Sequence, residues 1–572
     1  MKHIHFIGIC GVGMGALAVL WKKKGWKVTG SDVGFYPPIS THLKKHKIEY
    51  YPGWHPERIG CLTETVIPVK ACPRLRSGTG IQSQNKHPDS RFHGNDNKKP
   101  DLVVVGNVAG SENPEWLAVQ KNKIPYVSYP ELIAQNLIKK NSIVVAGTYG
   151  KTSSAVLLSW ILKKCGYNPA YMFGGLILNL GESADDPAGS DWSVLEGDEY
   201  KTSRWDNKAK FFSYKPTHLL LTDIQWDHAD VYPTEESYFD AFKKLVKMIP
   251  KDGLIVASEK VSSVILSGTK NPLNSNLKGS FVNTQDDKIR TVRYGTQNGD
   301  YLYSNVQQTK DSLSFNISHN SNTYNISVPI IGEYMAENIC GAFAMACEIG
   351  IAPKKIISAL QKFTGIKRRL EKRGTINGAD VFDDIAHSPL KAKNTLETLR
   401  NLYHTVIPVK ACPRLRSGTG IQSQINTWIP VFTGMTTKIN EDKPKIYAIF
   451  EPNTGNRETS AIQNYDHAFD AADLVIIPRL TKLKTKLSFR PASPELQRGE
   501  PKQSVMEKSL KDDNTMDGLK LSKIISQTHP NVKYFEDDQE LLNFIKQNAK
   551  TGDAVVFMGS HSFRGMIDEL VK

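Results

Sequence analysis

The chain has 572 residues, of which 40% are hydrophobic and 23% charged, a composition typical of a globular protein. Its net charge of +15 is not concentrated in a basic run interleaved with aromatic residues, so nucleic-acid binding is not expected. No apolar run approaches the roughly 20 residues of a membrane span. The seven cysteines form no CxxC pair, which argues against a disulfide framework or a cysteine-based zinc site and for a reduced cytoplasmic protein.

The N-terminal part alternates predicted strands and helices. HIHFIGI and KVTGSD are predicted strands, separated by the glycine loop GICGVGMG and a helix that ends at Gly25. The later segment PDLVVVGN is predicted to be a buried strand. It precedes a helix with Asn113 as N-cap and Pro114 at its first position. This alternation predicts a parallel sheet of the α/β class.

Two further units follow the same pattern. The first opens with SIVVAGTYGKTSSAVLLSWILKKCG, which predicts a strand, a glycine loop and a helix from about Lys151 to Lys164. It continues with the predicted strands DWSVLEGDE and THLLLTDI and the helical stretch NICGAFAMACEIG. The second starts near IKRRLEKRG and contains the predicted strands DVFDDIAH, KIYAIFEP, ADLVIIPR and DAVVFMGSHS.

One stretch, TVIPVKACPRLRSGTGIQSQ, occurs at 65–84 and again at 405–424. The identity ends abruptly on both sides of each copy, which is not typical of a structural repeat. Added length in surface loops costs little stability, so we interpret the polar segments 60–99 and 405–442 as insertions. Residues 484–516 are a third segment of low hydrophobicity.

The strongest chemical motif is AGTYGKTSSA. It lies between a predicted strand and a predicted helix, the setting of a P-loop, although Val145 occupies the first glycine position of that pattern. Backbone N–H groups of the loop and the positive helix end would face a polyphosphate. Lys151 would neutralise phosphate oxygens, and Thr152 is a candidate Mg²⁺ ligand.

Acidic residues follow two other predicted strands. LEGDEY offers Glu196 and Glu199, and TDIQWDHAD offers His228 among three aspartates. The ends of strands in α/β sheets are where ligands bind, and Mg²⁺ prefers carboxylate oxygens. Both segments are therefore candidate parts of a nucleotide–metal site.

The first glycine loop resembles a dinucleotide fingerprint, with Asp32 about 20 residues downstream. The pattern indicates a diphosphate near a helix N-terminus and does not choose between NAD and another nucleotide. A NAD-dependent oxidoreductase therefore stays an alternative. Two later segments are ambiguous by spacing alone: IKRRLEKRG with Arg368 and Arg369, and VFDDIAHSP with Asp384 and His387.

Taken in order, these motifs resemble the Mur ligase family, the ATP-dependent amide-forming enzymes of peptidoglycan metabolism. The resemblance implies an α/β fold in a three-domain architecture. Its domains are a Rossmann-like UDP-substrate-binding domain at 1–139, a central P-loop ATP-binding domain at 140–366 and a Rossmann-like C-terminal domain at 367–572.

The resemblance also implies roles for single residues. Lys151, Arg369 and His228 become catalytic, and Thr152, Glu196 and His228 become Mg²⁺ ligands. The implied UDP-substrate-binding residues are Gly8, Gly11, Gly13, Gly15, Ser31 and Asp32. The implied ATP-binding residues are Gly147, Thr148, Tyr149, Gly150, Lys151, Thr152, Ser153, Asn338, Arg369 and Asp384.

Within the family, SDVGFYPPIS, VVVGNVAGSENP and IFEP are most similar to the branch that recycles murein peptides. That similarity implies ligation of the lactyl carboxylate of UDP-N-acetylmuramate to L-Ala-γ-D-Glu-meso-diaminopimelate through an acyl phosphate, with ATP and Mg²⁺. It implies a bacterial cytoplasmic protein that is a monomer or weak homodimer. The alternative in the same class is a ligase that joins L-alanine, instead of the tripeptide, to UDP-N-acetylmuramate.

Several residues depart from the family pattern. Tyr149 stands where His or Asn is usual, Met335 replaces an Asn, Asp223 replaces another Asn, and Ser388 replaces a His. These departures keep open a third alternative, a nucleotide-binding relative with impaired catalysis.

The interpretation of the repeated stretch as passive insertions predicts the result of removing it. Deleting 65–98 or 405–442 should leave folding and ATP-dependent activity unchanged, because neither segment carries a candidate site residue. Circular dichroism and phosphate release would measure both properties. Loss of either one in a deletion variant would contradict the interpretation.

Overall fold

The computed structural model describes residues 1–35, 39–60, 99–175, 180–203, 205–228, 231–266, 289–403, 443–481 and 516–572. They form two compact units, one of residues 1–307 and 311–366 and the other of residues 308–310 and 367–572. The first unit holds two sheets and the second holds one. The bounds of the three predicted domains stay predictions.

The first sheet comprises β1 (His3–Ile7), β2 (Lys27–Asp32), β3 (Glu49–Pro52), β4 (Leu102–Val105) and β5 (Tyr126–Ser128). All its pairings are parallel, in the order β3-β2-β1-β4-β5. The connecting helices are α1 (Val12–Lys23), α2 (Ile39–Lys45), α3 (Pro114–Lys121) and α4 (Tyr129–Asn136). The predicted parallel arrangement of this part is therefore confirmed.

The predicted start of α3 is also confirmed. The side chain of Asn113 accepts a hydrogen bond from the Trp116 backbone N–H at 2.9 Å, and Pro114 is the first helical residue. Asn113 is itself buried, so the cap satisfies a helix N–H that water does not reach easily.

The second sheet has ten strands. They are β6 (Asn141–Ala146), β7 (Ala170–Met172), β8 (Ala184–Asp185), β9 (Trp192–Gly197), β10 (His218–Leu221), β11 (Leu254–Ser258), β12 (Arg290–Gly295), β13 (Tyr301–Gln308), β14 (Leu313–His319) and β15 (Asn322–Val328). The order is β15-β14-β13-β12-β11-β10-β6-β9-β7-β8. The central strand β6 pairs in parallel with β10 on one side and β9 on the other.

The strands at one edge of this sheet were not foreseen from the sequence. β14 and β15 form an antiparallel hairpin in which His319 faces Asn322. The two turn residues, Asn320 and Ser321, both have positive φ, 46° and 63°. This is the geometry of a two-residue turn that matches strand twist.

The helices of this part are α5 (Lys151–Lys164), α6 (Glu235–Lys247), α7 (Ser263–Leu266), α8 (Met335–Glu348) and α9 (Pro353–Leu360). Helix α5 has the predicted bounds. Ten of its residues, from Ser153 to Leu162, are buried, and the indole N–H of Trp160 donates to the Ala359 carbonyl at 2.7 Å. The buried helix therefore holds the loop that precedes it against the central strands.

The sheet of the second unit comprises β16 (Glu371–Ile376), β17 (Ala379–Asp384), β18 (Ile446–Glu451), β19 (Leu474–Pro478), β20 (Val532–Phe535) and β21 (Ala554–Gly559). Its order is β16-β17-β21-β18-β19-β20, and only the β16–β17 pair is antiparallel among its pairings. Its helices are α10 (Pro389–Leu402), α11 (Gly518–Ile525), α12 (Asp538–Asn548) and α13 (Met566–Leu570).

The three proposed insertions lie almost entirely outside the described residues, which omit 61–98, 404–442 and 482–515. Among the described helices, none combines the length and the apolar character that a membrane span requires.

The Asn113 cap provides a test of the local structure. Asn113→Ala removes the acceptor for the Trp116 N–H and should lower stability by about 1 kcal/mol. Asn113→Ser keeps a capping oxygen and should recover most of that loss. Thermal unfolding of the two variants beside the parent chain would measure the effect, and equal unfolding temperatures for Ala and Ser would contradict the capping role.

Candidate active site

The loop between β6 and α5 has two glycines with left-handed backbone conformations. Gly147 has a φ of 143° and Gly150 a φ of 84°. A Cβ at Gly147 would lie 2.1 Å from the Thr222 hydroxyl oxygen, so no larger residue fits there. The Thr148 N–H donates to the Asp223 carbonyl at 2.7 Å. The loop therefore leaves β6 in a tight turn attached to the end of β10.

The loop delivers Lys151 to the first position of α5. Its Nζ donates to the Gly147 carbonyl at 2.5 Å and lies 2.7 Å from Glu199 Oε2. The Lys151 side chain is 13% exposed and that of Glu199 2%. Burial acts to lower the pKa of Lys151, but the Glu199 carboxylate raises it above its ordinary value. The Lys151 amine is therefore a buried cation that is hydrogen-bonded to the loop preceding it.

Glu196 and Thr152 form a second pair beside the loop. The Thr152 hydroxyl donates to Glu196 Oε1 at 2.6 Å, and the Gly174 backbone N–H donates to Oε2 at 2.6 Å. Both residues were predicted Mg²⁺ ligands, and the structure places them in direct contact. Glu196 lies near the end of β9, and the paired strand β6 leads into the loop that carries Thr152.

His228 lies against Glu199 rather than against Glu196 in the described contacts. Its Nε2 is 3.5 Å from Glu199 Oε1, and its backbone N–H donates to Asp227 Oδ1 at 2.7 Å. Burial acts to lower the pKa of His228, but Glu199 and Asp227 together raise it above its ordinary value. Glu199 therefore contacts both Lys151 and His228. The family resemblance assigned it no role, although its position in LEGDEY made it a candidate.

These side chains fit a magnesium ion that binds together with phosphates. Glu199 Oε2 is buried and accepts no hydrogen bond, although Lys151 lies beside it. Glu196, Glu199 and His228, all described residues, do not bring three ligand atoms within 4.8 Å of one another. They offer Mg²⁺ a few donors instead of a closed cage, which is how the ion is usually held with nucleotide phosphates.

Helix α8 contacts the loop between β6 and α5 through Asn338. Asn338 is buried, and its Oδ1 accepts a hydrogen bond from the Ser154 hydroxyl at 3.5 Å. A Cβ at Gly150 would lie 2.4 Å from the same oxygen. The substituted residue Met335 is also buried, and its sulfur accepts a long hydrogen bond of 3.7 Å from Asn338. The ATP-binding role of Asn338 stays a prediction, and the described contact is with the loop.

Two other predicted ATP-binding residues are partly or fully enclosed. Ser153 is buried in the first turn of α5. The Tyr149 backbone N–H donates to the Asp223 carbonyl at 3.3 Å, and burial raises the pKa of the Tyr149 phenol. Tyr149 and Asp223, both departures from the family pattern, are therefore neighbours at the end of β10.

The first glycine loop is built differently. The N–H of Gly8, whose φ is 89°, donates to the Ser31 carbonyl at 2.8 Å, and the Cys10 N–H donates to Asp32 Oδ2 at 3.0 Å. The Ser31 hydroxyl donates to the buried Glu115. The Ser31 and Asp32 side chains thus make contacts that fix the loop.

The remaining glycines of this loop lie at the start of α1. Gly11 is the N-cap of α1. A Cβ at Gly13 would lie 2.7 Å from the Tyr129 hydroxyl, and one at Gly15 would lie 2.9 Å from Ile39. These two glycines allow α1 to pack closely on its neighbours. Their predicted role in binding a UDP diphosphate is untested.

In the second unit, the two adjacent arginines differ in their surroundings. Arg368 donates to Asp383 at 3.2 Å and to the carbonyls of Gly559 and His561 at 2.5 and 2.8 Å. Its guanidinium is therefore held inside the unit. Arg369 is half-buried, and its charge acts to lower the pKa of Asp384.

Asp384 is buried and holds the surrounding backbone. Its oxygens accept hydrogen bonds from the N–H groups of Leu370 and Ala386, both at 2.8 Å. Burial raises the pKa of Asp384 despite these contacts and the charge of Arg369. The predicted contacts of Arg369 and Asp384 with ATP stay predictions.

Two segments of the chain match one protein family. Residues 3–140 match "Mur ligase family, catalytic domain", and residues 145–346 match "Mur ligase middle domain". The two segments contain both glycine loops and the strands and helices that surround them.

Two curated relatives and one solved structure give the degree of similarity. A UDP-N-acetylmuramate–L-alanyl-γ-D-glutamyl-meso-2,6-diaminoheptandioate ligase of Escherichia coli is 30% identical over 418 residues, which is 73% of this chain and 79% of that protein. A UDP-N-acetylmuramate–L-alanine ligase of Clostridium acetobutylicum is 25% identical over 568 residues, 98% of this chain and 95% of that protein. A murein peptide ligase of Psychrobacter arcticus shares the fold with a TM-score of 0.60 at 23% identity, covering 100% of this chain and 98% of that chain.

We predict that His387, in the loop after β17, makes the stability of the chain depend on pH. Burial and the charges of Lys391 and Arg369 lower the pKa of His387 to about 4, below its ordinary value of 6.5. Because the folded chain favours neutral His387, this stability is fully present above pH 6.5 and is lost as the pH falls towards 4.

The expected result is a smaller loss of stability in His387→Gln than in the parent chain between pH 7 and pH 5. Urea unfolding at the two pH values would measure it, with pH 8 as the reference at which His387 is neutral in both states. An equal loss in both proteins would show that protonation of His387 does not oppose folding.

Proposed function

Because this chain belongs to the Mur ligase family of ATP-dependent amide-forming enzymes, we propose that it joins UDP-N-acetylmuramate to L-Ala-γ-D-Glu-meso-diaminopimelate. The Escherichia coli relative, 30% identical over 79% of its length, is named for this ligation. The observation that carries the proposal is the placement of Lys151 at the start of α5 beside the buried carboxylate of Glu199, with Thr152 and Glu196 in contact next to it.

The loop residues are suited to hold ATP. The 14-residue helix α5 begins at Lys151, so its positive end favours phosphate at the loop. Lys151 is charged and paired with Glu199, and phosphate oxygens would take the place of that carboxylate. Mg²⁺, held by Glu196, His228 and Thr152 with phosphate oxygens, would neutralise charge on the transferred phosphoryl group.

The proposed reaction has two steps. An oxygen of the lactyl carboxylate attacks the γ-phosphorus of ATP, the bond to the β–γ bridging oxygen breaks, and ADP leaves. The amine of the peptide then attacks the carbonyl carbon of the acyl phosphate, the amine loses a proton, and inorganic phosphate leaves. Lys151 stabilises the charge that develops on the phosphoryl oxygens.

Ligation of L-alanine alone is a second candidate function. The observation in its favour is the length of the match to the Clostridium acetobutylicum relative, which spans 98% of this chain at 25% identity. The two candidates share the phosphoryl-transfer step and differ only in the amine acceptor.

The acceptor is tested by phosphate release from ATP and Mg²⁺ in the presence of UDP-N-acetylmuramate. We expect release with the tripeptide at a rate far above that with L-alanine. Phosphate release with L-alanine but not with the tripeptide would reject the first candidate in favour of the second. Absence of release with either acceptor, from a folded chain that binds ATP, would reject both and support an impaired relative.

Lys151→Ala is the control for the site. It should abolish release with either acceptor, because transfer loses its buried cation. Lys163→Ala provides a matched lysine on the same helix, where Lys163 lies 3.6 Å from Asp185. This variant should retain activity. Equal activities of the two variants would show that the measured release does not come from the proposed site.

A further inference from the structure

A cluster of two histidines and one glutamate lies outside the candidate active site. Helix α2 carries His42, and a helical hydrogen bond from the His46 N–H to the His42 carbonyl at 3.2 Å extends the turn to His46. Residues four apart lie on the same face of a helix, and the two imidazole rings are 4.8 Å apart. Glu182, from the turn before β8, faces both rings.

The ligand atoms of the three side chains converge. His42 Nε2 lies 2.9 Å from Glu182 Oε2, and His46 Nε2 lies 3.0 Å from Oε1. The side chains are only 13%, 18% and 16% exposed for His42, His46 and Glu182. Among the described residues, this is the only group of three His, Cys, Asp or Glu whose ligand atoms all lie within 4.8 Å of one another.

One nitrogen of the cluster lacks a hydrogen bond. His46 Nε2 is buried and makes none, despite its distance of 3.0 Å from the carboxylate. A buried polar atom without a hydrogen bond is a position where an ion can bind.

We propose that His42, His46 and Glu182 bind one Zn²⁺ or a chemically similar transition-metal ion, with a fourth position left to water. Tetrahedral zinc with bonds of about 2.0–2.2 Å requires ligand atoms roughly 3.3–3.6 Å apart. The two nitrogen–oxygen separations, 2.9 and 3.0 Å, lie just below this range, and all three ligand atoms lie within 4.8 Å of one another. Two imidazoles and one carboxylate suit zinc, nickel or copper, whereas Mg²⁺ prefers oxygen ligands. The site would therefore select a different ion from the ATP site.

Among the described residues, the Lys23 side chain is the one positive group paired with the cluster, and it can move away. Lys23 contacts Glu182 Oε1 at 3.2 Å, and its side chain is 46% exposed. The long chain can rotate into solvent when a metal ion enters. The ion would join α2 to the turn before β8, so binding should also stabilise the fold.

The test uses the full chain after metal removal by a chelator and dialysis. Zn²⁺ is titrated by calorimetry in buffer with excess Mg²⁺ and without ATP. We expect one equivalent to bind tightly and to raise the unfolding temperature. His42→Ala, His46→Ala and Glu182→Gln should each weaken this binding by more than about tenfold. His467→Ala, which removes a histidine that contacts Asp470 at 2.9 Å, should bind like the parent chain.

A second measurement identifies the ligands without substitutions. X-ray absorption of the zinc-loaded parent chain should show nitrogen and oxygen neighbours including two imidazoles, and Co²⁺ should give ligand-field bands without thiolate charge transfer. Sulfur neighbours, absence of tight zinc binding, or unchanged affinity in the folded variants would each overturn the proposal and leave a histidine–glutamate ion pair. None of these measurements depends on ligase activity.

Discussion

The parallel pairing of β6 with both β9 and β10 is the constraint on which the candidate active site depends. Ala146, the last residue of β6, pairs with Gly197 on one side and Leu221 on the other. Parallel strands in this register end at the same edge of the sheet. The segments that follow them therefore start side by side, and they carry Lys151, Glu199 and His228.

The buried pair of Lys151 and Glu199 follows from this arrangement. Two opposite charges in a dry environment are stable only together, and removal of one partner typically costs about 3–5 kcal/mol. The pair thus holds a cation at the loop. In the proposed reaction, phosphate oxygens take the place of the Glu199 carboxylate beside Lys151. Lys151 thus has two roles in this proposal: it pairs with Glu199 in the fold and it binds phosphate in the reaction.

The two glycine loops, each between a strand and a helix, use their side chains differently. In the second loop, Lys151 and Thr152 face other polar groups at the sheet edge. In the first loop, Asp32 accepts a backbone hydrogen bond from Cys10, and Gly13 and Gly15 permit close packing of α1. The two adjacent arginines of the second unit, Arg368 and Arg369, also differ in their contacts. Arg368 donates hydrogen bonds to four acceptors within its unit, and the ATP contact of Arg369 stays a prediction.

The sequence by itself determined the local elements. The Asn113 cap and the bounds of α5 agree with prediction, because caps, glycine turns and hydrophobic runs act over a few residues. It also indicated the family, since the motifs stand in a fixed order. The hairpin of β14 and β15 was missed because its turn residues, Asn320 and Ser321, are not the Asn-Gly or Asp-Gly pair that marks such a turn most strongly.

Tertiary structure alone decided which polar side chains meet. Glu199 is 48 positions from Lys151, and Glu182 is still farther along the chain from His42 and His46. Nothing in the spacing of these residues predicts their contacts. Strand order and register bring Glu199 to Lys151, and the packing of α2 near the turn before β8 brings the two histidines to Glu182. Such contacts depend on how distant elements pack, and a sequence pattern of a few residues carries no information about that packing.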